Sequence, residues 1–199
     1  MNVTINTSRL YFKTERLTIR AFNTDDLDDI YDYTSNPKIA KMAGFDVHPS
    51  KRRTEIILHQ YIKFNCALAL VYKDKVIGSI TFNRYPENYV PEFNRYWGLD
   101  IGYTLNEDYW GQGLMKEALI PVMDYLFNEE HLDFITSGHF IFNNQSKRVQ
   151  EKCGFVHYKL LRHISSDGKE NDAWLSILTK DNFDKINQGK LPDFILYSN

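Results

Sequence analysis

The sequence predicts a single mixed α/β domain, and three observations carry this prediction. Apolar or alternating runs that are typical of strands outnumber helical patterns, but helical segments interrupt them. The chain has 199 residues, which is enough for one domain with a substantial core and short for two. With 43% apolar and 25% charged residues and no repeat or long linker, the composition is that of a globular chain.

The first half of the chain predicts a strand, two helices and a hairpin. Residues 17–21 alternate between apolar and polar side chains, as a strand does. Thr24 is predicted to cap a helix that carries Asp25 and Asp26 in its first turn and ends before Pro37. A second helix and the two arms of a β-hairpin are expected at residues 53–64, 66–72 and 76–82.

The second half alternates between strand and helix patterns. A proline-containing loop is expected at residues 84–95. Strands are expected at residues 96–105, 134–142, 155–164 and 173–178, and helices at residues 114–127 and 146–152. Asp167-Gly168 is a turn signal between the last two strands. The segment 181–199 predicts a short helix and an irregular tail. Its apolar residues 194–197 could pack on a second copy, which would give a homodimer, or on their own domain.

Charge and cysteine usage exclude several classes of protein. A formal net charge of −2 argues against a surface that binds nucleic acid. Cys66 and Cys153 have no Cys or His neighbour at metal-ligand spacing, so neither a metal site nor a disulfide framework is expected. The sequence shows no signal peptide, and no stretch approaches the roughly 18 apolar residues of a membrane span. A cytoplasmic location without membrane or nucleic-acid partners is therefore predicted.

The most informative stretch runs from Asn106 to Ala118 and reads NEDYWGQGLMKEA. Gly111 and Gly113 follow a predicted strand and directly precede a helix, where they let the backbone turn sharply and approach a ligand. The amides of a helix start favour phosphate, and Lys116 could add a charge. An ordinary strand-to-helix turn remains an alternative, because Gly-x-Gly alone is a weak signal.

Residues 109–118 resemble the acetyl-CoA loop of the GNAT acetyltransferases, and more narrowly that of the ribosomal-protein N-terminal acetyltransferases, the RimJ/RimL-like branch. Gly113 matches the first glycine of the superfamily pattern Gln/Arg-x-x-Gly-x-Gly/Ala. Trp110 stands where Gln or Arg is general, and Met115 where Gly or Ala is general. Three further segments are similar to motifs of this branch in order and spacing: residues 14–20, 100–103 and 143–155. The resemblance covers about residues 14–178 of a single domain spanning 1–199.

The resemblance implies a GNAT-like fold, in which a central twisted mixed sheet parts between its fourth and fifth strands, at residues 96–105 and 134–142. Acetyl-CoA is the implied co-substrate and would enter this opening. Its pantetheine would pair with the fourth strand at Tyr103 and Leu105, and its pyrophosphate would rest on the glycine turn. The turn residues implied to bind the cofactor are Trp110, Gly111, Gln112, Gly113, Leu114, Met115 and Lys116.

Acetyl transfer to an amine needs a proton acceptor for the amine and a proton donor for the leaving thiolate, but no metal or protein nucleophile. Strand alternation places Asp100 on a small, polar face, and the resemblance places a carboxylate there. We expect Asp100 to take the amine's proton, directly or through water; pairing with an arginine or capping a turn is the alternative.

Asn143 and Ser146 stand at the start of a short predicted helix, where both residue types are frequent caps. The resemblance implies that Asn143 binds the pantetheine or a water of the site. It also implies that Ser146 protonates the thiolate, because Gln150 occupies the position at which many members of the superfamily have a tyrosine acid.

The predicted function is transfer of the acetyl group of acetyl-CoA to a primary amine, such as the N-terminus of a ribosomal protein. Two alternatives stay open. One is the same chemistry on a small amine: a polyamine, an antibiotic or a metabolite. The other is a non-catalytic acyl-CoA-binding protein, because fold resemblance alone does not fix function.

Overall fold

The computed structural model describes residues 1–164, 170–187 and 195–196. The strands in these ranges are β1 (Tyr11–Lys13), β2 (Thr18–Ala21), β3 (Ala67–Tyr72), β4 (Lys75–Asn83), β5 (Gly98–Leu105), β6 (Phe134–Phe140), β7 (Val156–Ile164), β8 (Glu170–Thr179) and β9 (Ile195–Leu196). The helices are α1 (Leu27–Thr34), α2 (Pro37–Ala43), α3 (Lys51–Phe64), α4 (Leu114–Asn128), α5 (Asn144–Cys153) and α6 (Lys180–Asn187). The mixed α/β class is confirmed. The predicted turn at 167–168 and most of the predicted tail lie outside the described residues.

The chain forms two compact units. The first unit comprises the described residues of Met1–Thr4, Phe82–Gly102 and Leu119–Pro192. The second comprises those of Ile5–Thr81, Tyr103–Ala118 and Asp193–Asn199. The chain passes from one unit to the other within β4, β5 and α4, so the predicted fourth strand, β5, contributes residues to both. The single domain expected from the sequence stays a prediction.

In the second unit an antiparallel sheet has the strand order β4-β3-β2-β1-β9. The predicted hairpin is confirmed as β3–β4. Lys73 and Asp74 turn the chain with φ angles of 49° and 64°, both in the left-handed region that the tightest hairpin turns require. Helices α1 and α3 pack a core on this unit that includes Phe22, Tyr33 and Leu58. Strand β1 was not predicted, because three residues are too few to show a period.

The structure corrects the predicted start of the first helix. Asn23, not Thr24, is the capping residue: its side-chain oxygen accepts from the Asp25 amide at 2.8 Å. The Asp26 carboxylate accepts in return from the Asn23 amide at 2.9 Å, which completes a capping box. Residues 24–26 form a 3-10 turn before α1. Asn and Thr are both good caps, so the choice between neighbours depended on the carboxylate at Asp26 and its ion pair with Arg20.

Helix α2 was missed, because Pro37 was expected only to follow the end of α1. The proline instead occupies the first position of α2, where its lack of an N–H removes no intrahelical hydrogen bond. Asn36 caps this helix by accepting from the Lys38 amide at 2.9 Å. The other predicted helices and strands are found, and their ends differ from the prediction by at most three residues.

In the first unit the strand order is β7-β8-β6-β5. The β7–β8 and β8–β6 pairs are antiparallel and the β5–β6 pair is parallel, so the sheet is mixed, as predicted. A core forms around Tyr85, Val90, Phe134, Leu175 and Ile177. The loop at 84–95 contains two 3-10 turns, Glu87–Tyr89 and Pro91–Phe93.

The parallel pairing of β5 with β6 is short. It runs over three residue pairs, from Gly98 with Phe134 to Asp100 with Thr136. A side chain at Gly98 would lie 2.4 Å from the Phe134 ring, so glycine is required for this register. One residue further, the Ser137 hydroxyl donates to the Ile101 carbonyl at 2.9 Å, so a side chain takes over from the backbone ladder. This agrees with a sheet that parts after Asp100.

No helix within the described ranges is long and apolar enough to cross a membrane.

Candidate active site

The glycine turn of the second unit has the backbone that the sequence predicted. Gly111 and Gly113 have φ angles of +76° and +79°, in the left-handed region that favours glycine. A Cβ atom added at Gly111 would meet nothing within 4 Å, and one at Gly113 would meet only the Arg16 guanidinium, at 3.7 Å. The turn therefore presents bare backbone to open space, which a bound group could fill.

Three hydrogen bonds fix this turn. The Trp110 indole donates to the Leu105 carbonyl at 2.8 Å, and its ring packs on the core of the second unit. The side-chain Nε2 of Gln112 donates to the Asp108 carbonyl at 3.1 Å. Arg16 donates to the Gln112 carbonyl at 3.0 Å. Trp110 thus supports the turn from within, and its indole N–H is already used.

The start of α4 can hold an anion through backbone rather than side chains. Leu114 and Met115 are 1% and 4% exposed, so their side chains belong to the core and only their amides are available to a ligand. The Glu117 amide makes the first intrahelical bond, to the Gly113 carbonyl at 3.0 Å. The amides of the preceding residues have no partner within the helix, and the helix dipole favours negative charge there. Lys116 is partly buried in the same turn.

Arg16 and Glu117 are site residues that the sequence analysis did not single out. Arg16 approaches Glu117 to 2.6 Å with one guanidinium nitrogen and to 2.7 Å with another. Partial burial would raise the pKa of Glu117, but hydrogen bonds from Thr14 and Arg16 outweigh it and hold that pKa below its usual value. The pair fixes a guanidinium beside Gly113. Arg16 lies in a segment that resembled the family, but nothing in a single sequence pairs it with Glu117.

Tyr103 and Leu105 lie on the part of β5 that belongs to the second unit, and both are partly buried. Gly78 of β4 lets the backbone of this part of β5 come close: a Cβ at Gly78 would lie 2.3 Å from the Thr104 carbonyl oxygen. The glycine therefore fixes where this backbone runs. Pairing of pantetheine with Tyr103 and Leu105 stays a prediction.

In the first unit Asp100 is held by two neutral partners. The Thr136 hydroxyl donates to the Asp100 carboxylate at 2.7 Å, and Asn83 makes a second side-chain hydrogen bond to it. Desolvation raises the pKa of Asp100 to about 6, although both hydrogen bonds act in the opposite direction. The sequence left open that Asp100 pairs with an arginine or caps a turn. Its two hydrogen-bond partners are instead the side chains of Thr136 and Asn83. A carboxyl group with such a pKa can take a proton near neutral pH.

Asn143 and Ser146 have different places at the start of α5. Asn143 is the cap: its side-chain oxygen accepts from the Ser146 amide at 3.0 Å. Ser146 is the third residue of the helix and is partly buried. The capping role that the sequence left open for either residue thus belongs to Asn143. Gly154 ends the helix with a φ of 96°, as expected for a glycine cap.

Gln150 is a structural strut. Its side chain is 1% exposed; the amide nitrogen donates to the Ser137 hydroxyl at 3.1 Å and to the Gly138 carbonyl at 3.3 Å. Its oxygen lies 2.8 Å from Nδ1 of His139, so His139 donates there and carries its proton on Nδ1. Burial lowers the pKa of His139, which favours the neutral ring. Gln150 thereby ties α5 to β6 through Ser137, the residue that bonds Ile101.

Among the described residues, no group of three or more His, Cys, Asp and Glu side chains could hold a metal ion.

Comparison with known proteins places this geometry in context. The family model described as an acetyltransferase (GNAT) domain matches residues 16–156. An uncharacterized N-acetyltransferase, p20, of Bacillus licheniformis is 27% identical over 84% of this chain and 94% of its own.

Two solved structures have the same fold. A ribosomal-protein-S5-alanine acetyltransferase from Vibrio fischeri has a TM-score of 0.69 at 21% identity, over 87% of this chain and 98% of its own. The spermidine N-acetyltransferase of Vibrio cholerae, solved with CoA and spermine, has a TM-score of 0.68 at 20% identity, over 84% of this chain and 98% of its own. At these identities the likeness establishes the fold alone.

Proposed function

The chain belongs to the GNAT acetyltransferase family and is an acetyl-CoA-dependent N-acetyltransferase; on that premise we propose which residues bind the donor, which move protons and which amine is acetylated. The observation that carries the proposal is the glycine turn, with its bare backbone and adjacent guanidinium, at the start of a helix whose first amides have no partner within the helix.

The turn from Trp110 to Lys116 binds the pyrophosphate of acetyl-CoA. The amides at the start of α4 donate to the phosphate oxygens, and glycine at 111 and 113 keeps side chains out of their way. Trp110, Leu114 and Met115 contribute backbone and packing rather than side-chain contacts. Tyr103 and Leu105 offer strand backbone to the pantetheine, as peptide-like ligands add to a strand. Asn143 binds the pantetheine or a water of the site, as the family resemblance implies.

The reaction is a direct transfer. The amine nitrogen attacks the thioester carbonyl carbon, the C–N bond forms, and the C–S bond breaks as the tetrahedral intermediate collapses. Asp100 takes the proton that the amine loses, directly or through water, because desolvation has raised its proton affinity. Ser146 delivers a proton to the departing thiolate at the start of α5, directly or through water. It regains a proton from solvent, to which Asp100 releases the one that it took.

The acceptor that we favour is a protein N-terminus, in the manner of the RimJ/RimL-like branch. Sequence motifs across about residues 14–178 support this, and so does the fold likeness to the ribosomal-protein-S5-alanine acetyltransferase. A polyamine is the second candidate, supported by the fold likeness to the spermidine N-acetyltransferase. We also infer a cytoplasmic location, in keeping with Cys66 and Cys153 as thiols. A homodimer stays a prediction that sedimentation would test.

A turnover screen decides between these acceptors. Purified protein is given acetyl-CoA and either peptides with varied N-terminal residues or polyamines and other small amines, and thiol release is followed together with the mass of the acceptor. We expect acetylation of unblocked peptide N-termini. The same peptides with a pre-acetylated N-terminus serve as the control and should not react. Turnover confined to polyamines would replace the protein acceptor with the second candidate.

A further inference from the structure

The hydrogen-bond partners of the Asp100 carboxylate are neutral side chains. The elements that pack against its carboxylate present Thr136 from β6 and Asn83 from the end of β4. Neither carries a charge, and in the described part of the chain no charged group contributes to the shift in its pKa. The balance is therefore between desolvation, which favours the protonated acid, and two hydrogen bonds, which favour the carboxylate.

Thr136 is held where its hydroxyl has little choice of partner. It is 0% exposed and is paired with Asp100 in the last pair of the parallel β5–β6 register. Side chains of directly paired residues lie on the same face of a sheet, and a threonine side chain has few allowed rotamers. Two residues earlier, the Phe134 ring lies across Gly98 and secures the register that brings Thr136 to Asp100. The hydrogen bond of 2.7 Å follows from this arrangement.

We propose that Thr136 is a positioning residue for Asp100, and that its hydroxyl both orients the carboxylate and sets how readily it accepts the amine's proton. Asn83 supplies a second, weaker constraint, because it is exposed and can exchange its bond for water. The inference rests on the proposed function, in which Asp100 accepts that proton. In this proposal Thr136 acts through the Asp100 carboxylate rather than on the substrate.

The test compares Thr136→Val, which keeps the shape and removes the hydroxyl, with Thr136→Ser, which keeps the hydroxyl. The titration of Asp100 is followed by carbon NMR of aspartate carboxyl groups, with its signal assigned from Asp100→Asn. Loss of a hydrogen bond to a charged group should raise the Asp100 pKa by about one pH unit in Thr136→Val. Thr136→Ser should titrate like the wild type. Since neither hydrogen-bond partner of Asp100 carries a charge, the difference between the two variants should persist at high salt.

Kinetics separate this inference from the proposed function. If both hold, the acidic limb of the kcat/KM profile moves to higher pH in Thr136→Val together with the NMR titration, and the Thr136→Ser profile stays in place. If the titration moves but the limb does not, Asp100 is not the proton acceptor. That step of the proposed function then fails, while the control of the Asp100 carboxylate by Thr136 stands. An unmoved titration in folded Thr136→Val overturns the role of Thr136 alone.

A second variant guards against loss of folding in Thr136→Val. Asn83 is exposed, so Asn83→Ala should fold, and it removes the other hydrogen bond to the carboxylate. In Asn83→Ala the pKa of Asp100 should also rise, but by less than in Thr136→Val. A titration that stays fixed in Asn83→Ala and in every folded Thr136 variant would contradict the proposal.

Discussion

Arg16 and Glu117 lie 101 residues apart in the sequence and form an ion pair of 2.6 Å, from which Arg16 also donates to the Gln112 carbonyl. The pair joins the segment between β1 and β2 to the first turn of α4. It holds a guanidinium beside the glycine turn while leaving that turn open. The glycine turn is thus supported by a charge that also suits an anionic ligand.

Replacing Arg16 tests this support. Arg16→Ala removes a cation near the turn and one of the three hydrogen bonds that fix it, so CoA affinity should fall about tenfold, equivalent to about 1.4 kcal/mol. The estimate is modest because the Arg16 side chain is 38% exposed and solvent screens it. Calorimetry with CoA measures the change. Arg52→Ala, at an exposed position of α3, should bind CoA normally. Equal affinity in the two variants would limit Arg16 to a structural role.

A matched control separates the role of Gly113 in cofactor binding from the backbone strain that any side chain causes at a left-handed position. Gly113→Val places a side chain where phosphate must approach, and CoA affinity should fall by at least tenfold. Gly44, at the end of α2, has the same φ of 79°, so Gly44→Val carries a similar backbone strain of about 1–2 kcal/mol away from the turn. Both variants should lose stability in thermal unfolding. Only Gly113→Val should lose CoA, and a matching loss in Gly44→Val would mean that strain explains the effect.

Substitutions at Asn143 and Ser146 should have different effects: the first on the free energy of unfolding, the second on the rate of acetyl transfer. Asn143→Ala removes the cap of α5 and should lower the free energy of unfolding by about 1 kcal/mol. Ser146 does not cap the helix, so Ser146→Ala should lower the maximal rate by roughly one to three orders of magnitude with a much smaller change in acetyl-CoA affinity. Turnover and thermal unfolding are measured on each variant. A fully active Ser146→Ala would leave water as the proton donor.

The raised pKa of Asp100 predicts a stability cost in the wild type. Its folded pKa of about 6 exceeds the ordinary value of 3.8, so the folded state binds more protons than the unfolded state between these values. Stability therefore falls as pH rises from about 4 to 6, and the loss persists above 6. Asp100→Asn has no carboxyl group to ionise and therefore lacks this loss of stability. At pH 7 its free energy of unfolding should exceed that of the wild type by about 1–3 kcal/mol. Denaturant unfolding should show the difference vanish near pH 4; a constant difference would argue against a raised pKa.

Local patterns in the sequence predicted local structure well. Two apolar runs separated by residues 73–75 were enough to predict the hairpin. Glycine at 111 and 113 was enough to predict a sharp turn before a helix, which the structure forms with positive φ angles. Cap choice was less certain, because Asn23 and Thr24 have similar preferences and a more distant ion pair decided between them. Helix α2 was missed because its first residue, a proline, also marks the end of the preceding helix.

Partners across the sheet could not be predicted. Alternation placed Asp100 on a polar face, but its bond to Thr136 depends on the β5–β6 register, which one sequence does not encode locally. The pairing of Arg16 with Glu117 could not be predicted either, because it depends on how segments 101 residues apart in the sequence pack together. Gln150 was recognised as a departure from a family tyrosine, whereas its use as a strut to Ser137 and His139 required the placement of α5 on β6.

The most direct test of the central claim is the pH dependence of kcat/KM for wild type and Asp100→Asn with the acceptor found in the turnover screen. The wild type should show two rising limbs, one near pH 6 from Asp100 and one at higher pH from the acceptor amine. Asp100→Asn should be slower at neutral pH, lack the limb near 6 and recover partly at high pH, where the amine is already neutral. A limb near pH 6 that persists at full rate in Asp100→Asn would contradict Asp100 as the proton acceptor.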